Sequence, residues 1–206
     1  MDTLLMSSAN FEAEVINILE LPSYDNSEKI RLSKLMCSVA LEHAESFKIL
    51  LSAGNFTSAI GMLRSQFECY VRGLWIFYAA QDKDIDTLSS DLNSENIKRS
   101  DKLPMVSQMI SLLEGSAPTE AVNPVLEFKE YSLKPLHSYV HGGLHALDRH
   151  SKGYPVELLE QALRSSNGVN GMVAMFSAVL TGNQEVVKEV SVLFKEYSEC
   201  FQMKNR

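Results

Sequence analysis

SAIGMLRSQFECYVRGLWIFYAA, residues 58–80, is the longest strongly apolar helical run in the chain. Phe56, Ile60, Leu63, Phe67, Tyr70, Leu74 and Phe77 recur in alternating steps of four and three. That heptad-like seam predicts an α-helix packed antiparallel against a neighbour. Beside the seam stand Arg64, Glu68 and Arg72, each one turn after the last, so a charged ladder runs along its edge. Arg72 interrupts the apolar run. Neither Val71–Ala80 nor Met172–Leu180 approaches the roughly 20 residues a bilayer span requires.

The neighbour is the preceding segment, Glu28 to about Ala53. Asn26 and Ser27 cap its start, Leu32, Leu35, Met36, Val39, Leu41, Ala44, Phe47, Leu50 and Leu51 give it a wide apolar face, and Gly54 suits its end. So short a connection makes the two helices an antiparallel hairpin. Before them, Ser8 reads as the cap of a short first helix with Phe11, Val15, Ile18 and Leu19 inward, stopped at Leu21-Pro22. His43 stands alone and forms no site by itself.

After the pair, residues 82–103 form a long polar connection with one or two weak helical turns, of the kind that caps a site or makes a mobile excursion. Pro104 opens a helix over Met105 to Glu114, which Gly115 ends. Asn123-Pro124 signals the start of another, Val125 to about His141, which Pro135 should kink. Val156 to Leu180 and Gln184 to Phe201 close the chain. Val179 belongs to the expected buried set of the first of these. No period-two alternation persists, so the fold expected is an all-α, single-domain bundle of about six to seven helices.

Composition sets the remaining bounds. The 206 residues are 45% hydrophobic, enough for one well-filled domain, with order expected everywhere but the ends, residues 1–5 and 202–206. A net charge of −7 excludes a general electrostatic grip on nucleic acid, though not a local cationic pocket. Cys37, Cys69 and Cys200 lack metal-site spacing and read as free thiols. The N-terminus has no basic and apolar leader, and the protein is expected to be cytoplasmic and free of the membrane.

The ladder admits several readings. A solvated Arg64–Glu68–Arg72 face would contribute only a few tenths of a kcal/mol per pair, roughly. A buried network would need every charge paired. The third reading is the wall of a functional pocket. The histidine segment bears on the choice: His137, His141 and His145 recur at four-residue steps, with His150 beyond. Such spacing on a continuous helix suits a metal, but Gly142-Gly143 interrupts it and no H-E-x-x-H accompanies it. We therefore expect no metal and no cofactor. The expected arrangement is a His137–His141 pair hydrogen-bonded to the arginine helix, the glycines permitting a sharp turn. Tyr131 and Tyr139 are further donors there.

Taken together, LRSQFECYVRGLW and HSYVHGG resemble uncharacterised bacterial helical proteins that carry an R-x-x-x-E helix and a later histidine–glycine segment. The chain also distantly resembles the HEPN superfamily of toxin–antitoxin and phage-defence systems, over Glu28 to Gly143. That resemblance implies a metal-independent endoribonuclease, often dimeric, working with a cognate antitoxin or defence partner. Active HEPN ribonucleases space arginine and histidine as R-x(4–6)-H on one helix, and this chain does not. An equivalent must be assembled in space, with His141 and His137 as acid/base groups, Arg64 and Arg72 on the phosphate, and Glu68 orienting. The alternatives are a non-catalytic helical interaction module or small-anion-binding pocket built on the same cluster, and a metal-binding bundle. RNA or a small anionic ligand, and a second copy of the chain, are the expected partners.

Overall fold

The computed structural model describes residues 1–201, and the described chain is all-helical, 81% helix with no strand. The central hairpin is α2, Glu28–Ser52, and α3, Phe56–Tyr78. Ser27 caps α2, its hydroxyl accepting from the Ile30 N–H at 3.4 Å. Gly54 takes φ +78 at the turn, a value favoured by a residue without Cβ. The helices approach closely at Gly73, where a Cβ would lie 3.2 Å from both Met36 Cβ and the Ser33 carbonyl oxygen. Phe67, Val71 and Leu74 of α3 are fully buried, as are Cys37, Ala40 and Phe47 of α2.

Two long helices complete the inner layer. α1, Asp2–Glu20, lies along the final long helix and against α2. It is longer than expected and begins at Asp2, so the expectation of disorder over residues 1–5 fails. Ser8 is not its cap: Ser8 is buried mid-helix, and its hydroxyl donates to the Leu4 carbonyl at 2.7 Å. A Ser hydroxyl bonding one turn back satisfies itself inside a helix.

The polar stretch after α3 folds into α4, Asp82–Ser89, and α5, Ser94–Ser100. Neither has a buried residue, which is why apolar periodicity did not reveal them. α6, Val106–Glu114, follows Pro104 and ends at Gly115 as expected. α7 runs Thr119–Phe128, starting after Pro118 rather than at Asn123-Pro124. Pro124 thus sits inside it, at a cost of one backbone bond. A π turn, Lys129–Leu133, then leads into α8, Lys134–Val140. The widened turn falls just before Pro135, whose missing N–H and ring would otherwise break the α-helical ladder. Past Gly142-Gly143, α9 spans Leu144–Lys152. Thus the expected six to seven helices undercount.

α10, Val156–Leu180, has the expected bounds and crosses α1, α2 and α3. Val179 lies outward, at 37% exposure, against expectation. Leu35 of α2 is likewise exposed. α11, Gln184–Glu196, stops short of Phe201 and gives way to a 3-10 turn, Ser198–Cys200. The expected tail, 202–206, lies outside the described residues.

A polar chain threads this apolar interior. Lys48 Nζ of α2 donates to Glu12 Oε2 of α1 at 2.5 Å, and Asn170 Nδ2 of α10 donates to the same oxygen at 2.9 Å. Asn170 Oδ1 accepts from Gln66 Nε2 of α3 at 2.8 Å, and Ser166 Oγ donates to Gln66 Oε1 at 2.8 Å. Glu12, Gln66, Ser166 and Asn170 are all buried. Nearby, Asn167 Nδ2 donates to Ser8 Oγ at 2.8 Å and to the Cys200 carbonyl at 2.9 Å. Each bond constrains which helix faces which, because a shifted register would leave a buried polar group unpaired. Burial holds the pKa of Lys48 below the ordinary lysine value despite the attraction of Glu12.

Candidate functional site

α3 presents Arg64, Glu68 and Arg72 on the face turned away from the Glu12–Lys48 chain, towards α6 and α8. Arg64 Nε donates to Glu68 Oε1 at 2.6 Å, with side-chain exposures of 19% and 32%. The pair is half-buried at the edge of the core. Among the described residues Glu68 forms no ion pair with Arg72. The buried charge pair of the fold is Glu12–Lys48, which the sequence reading did not single out.

The second edge of Arg64 meets α8. Its Nη1 is hydrogen-bonded to His137 Nδ1. Guanidinium has only donors, so Nδ1 accepts and the neutral ring carries its proton on Nε2. The His137 and His141 rings lie 4.3 Å apart at 46°, and both residues are exposed. His141 ends α8, its N–H donating to the His137 carbonyl at 3.2 Å. Gly142 at φ +64 then reverses the chain, and the Gly143 N–H donates to the Ser138 carbonyl at 2.8 Å. That reversal leaves His141 at an open corner. The structure therefore joins Arg64, Glu68, His137 and His141 in one contiguous series of contacts.

Other histidines fall elsewhere. His145 begins α9, its N–H donating to Ser138 Oγ at 2.9 Å, and His150 Nδ1 lies 3.4 Å from Thr57 Oγ1 at the start of α3. Tyr131 is exposed, and burial raises the pKa of Tyr139. Among the described residues no group of His, Cys, Asp and Glu is placed to hold a metal ion.

Arg72 enters the site through a cleft of about 380 Å³. Arg64, Glu68 and Arg72 form one wall, and Ser100, Pro104 and Ser107 stand among the residues opposite. Val106 and Ser107, the first residues of α6, put the positive end of that nine-residue helix on the same space. Ser100 and Leu103 belong to the polar connection expected to cap a site or make an excursion, but the sequence did not set Pro104–Ser107 opposite the arginines. The sequence signal for that part was Pro104 as a helix opener directly after the polar connection. The arrangement can hold an anion between an arginine that has no carboxylate partner among the described residues and a helix N-terminus, and α8 offers imidazole groups to solvent beside Arg64.

A family model described as a family of unknown function (DUF6988) matches residues 37–203. The chain belongs to that family. The match begins midway along α2 and takes in the whole site. No curated protein and no solved structure matches the chain. No helix among the described residues is long and apolar enough to cross a membrane.

Proposed function

We propose that the cluster is the site of a metal-independent endoribonuclease, HEPN-like in its arginine–histidine chemistry and suited to a bacterial defence or toxin–antitoxin role. The observation carrying this reading is the exposed His137–His141 pair resting on an arginine that Glu68 holds from its other side. Because Arg64 occupies His137 Nδ1, His137 presents Nε2–H outward, a donor for a phosphoryl oxygen. Among the described residues His141 has no such partner, and it is the acid/base group. It takes the proton of a ribose 2′-hydroxyl as that oxygen attacks phosphorus, the P–O5′ bond breaks with the 5′-oxygen taking a proton from solvent water, and a 2′,3′-cyclic phosphate remains. Arg64 offsets the charge gathering on the phosphoryl oxygens, and Arg72 binds an adjacent phosphate in the cleft. Incubating a labelled RNA with the protein in excess EDTA tests this. Cleavage is expected for the wild type and loss for the His141→Ala, Arg64→Ala double variant; cleavage unchanged in the double variant would falsify it.

A second reading, a small-anion-binding module without catalysis, is favoured by Arg72 facing the α6 N-terminus. It predicts that phosphate binding, read by calorimetry, survives His141→Ala, falls with Arg72→Ala, and is accompanied by no RNA cleavage.

A further inference from the structure

On the side of α3 remote from the arginines lies a larger cavity, about 790 Å³, between α3, α7, α10 and α11. Its lining is apolar and aromatic: Phe176, Met172 and Met175 come from α10, Phe194 from α11, and Tyr70 from α3. That volume falls in the range of roughly 300–1,000 Å³ typical of small-molecule sites.

Features of the surrounding helices have no packing explanation. Tyr70 is 3% exposed and its hydroxyl makes no hydrogen bond among the described residues. The buried polar side-chain atoms cut off without a partner are Trp75 Nε1 and Ser177 Oγ, and the Tyr70 hydroxyl is not one of them. It therefore still reaches open space, and the space that Tyr70 borders is this cavity. A buried phenol normally finds a partner.

Gly168 lies midway along the 25-residue α10, where glycine weakens a helix. Gly171 has a reason to be small, since a Cβ there would sit 3.2 Å from Phe194 Cε1. Gly168 has none: a Cβ there would meet nothing within 4 Å, and Gly168 borders both this cavity and a smaller space beside it. Pro124, on the facing wall, interrupts α7 and denies the Glu120 carbonyl its usual donor one turn on. Both helix-weakening residues border the same cavity.

We propose that this cavity binds a small, uncharged, largely apolar molecule whose carbonyl-type oxygen accepts from the Tyr70 hydroxyl. Gly168 keeps the space open. Glu120, at the exposed rim, is the charged residue among the lining, and no cationic side chain joins it. Arg164 lines the smaller adjoining space, which shares Pro124, Gly168, Met172 and Phe201 with the cavity, but its guanidinium is engaged by the Glu199 and Phe201 carbonyls. A carboxylate or phosphate ligand is thereby disfavoured, which separates this site from the arginine cleft. The depth argues for a small molecule over a docked helix, because the floor residues Tyr70 and Phe176 are 3% and 4% exposed.

The test uses the neutral dye N-phenyl-1-naphthylamine on the full chain. Its fluorescence should rise saturably with one dye per chain. Acetophenone should displace it at a lower concentration than α-methylstyrene, which has a CH2 in place of the carbonyl oxygen and so no acceptor. Tyr70→Phe should keep dye binding and cut the acetophenone preference roughly three- to tenfold. Gly168→Leu, whose Cβ meets nothing within 4 Å, should abolish dye binding while melting no lower than wild type. The proposal is overturned if the wild type shows no saturable binding, if Gly168→Leu binds as wild type does, or if Tyr70→Phe leaves the preference unchanged. It is also overturned if sedimentation shows a wild-type dimer that Gly168→Leu converts to monomer, since a second copy then occupies the groove.

Discussion

Replacing Glu12 by alanine tests the buried chain that aligns the four inner helices. Glu12 and Lys48 have side-chain exposures of 7% and 11%, and the carboxylate also accepts from Asn170. Glu12→Ala leaves a buried ammonium and a buried amide N–H without that acceptor. Removing one partner of a buried pair costs about 3–5 kcal/mol, chiefly the desolvation of the charge left behind. Lys48 keeps its bond to the Ala44 carbonyl, at 2.9 Å, which sets the expectation at the lower half of that range. For a domain of this size each kcal/mol moves the midpoint by about 2–4 °C, so Tm should fall by about 6–16 °C. A Glu12→Leu, Lys48→Met double variant removes both charges and orphans only the Asn170 amide. It should melt well above Glu12→Ala. Differential scanning calorimetry at neutral pH reads both. If Glu12→Ala melts within 2 °C or so of wild type, the pair is not the buried constraint described.

Other expectations follow from individual environments. Burial pushes the Cys37 thiol up to about 12 from 9.0. A raised acid favours the folded state below the unfolded value, and that advantage is lost as pH rises from 9.0 through about 12. Thermal stability should therefore fall across this window by up to about 1.4 kcal/mol per pH unit, and Cys37→Ala should flatten the decline. Ellman's reagent on the native protein should leave Cys37 and Cys200 unmodified, since both are buried; prompt reaction of all three cysteines would contradict the packing. Gly73→Ala should lower stability by about 1–3 kcal/mol, because the added Cβ meets backbone as well as side chain on α2, and an unchanged melt would show that the hairpin can spread freely. Arg72→Ala should weaken phosphate binding several-fold while shifting Tm little, since among the described residues Arg72 makes no ion pair whose loss would matter.

What the sequence made legible was periodicity. The α2–α3 hairpin, the bounds of α10, and the Gly54 and Gly115 ends all follow from apolar spacing and turn chemistry. α4 and α5 carry no apolar stripe, so nothing in their spacing announced them. Proline was a weaker guide than expected: Pro118, not Pro124, marks the start of α7, and Pro124 sits inside the helix, leaving the Glu120 carbonyl without its helical donor. The site residues could be chosen by type and spacing, but Arg64's choice of His137 depends on how the π turn and Pro135 aim α8. The Glu12–Lys48–Asn170–Gln66 chain was hidden for another reason. Its members lie on four elements, and each one alone looks like an ordinary polar residue on a helix.

The most direct measurement of the central claim is cleavage of a DNA oligonucleotide carrying a single ribonucleotide, in EDTA, by wild type and by the His141→Gln variant. The account predicts a break only after the ribonucleotide, a cyclic phosphate end, and a rate roughly 100- to 10,000-fold lower in the variant, with both proteins melting alike. Cleavage of the all-deoxy control, a rate restored only by added metal, or equal rates for the two proteins would contradict it.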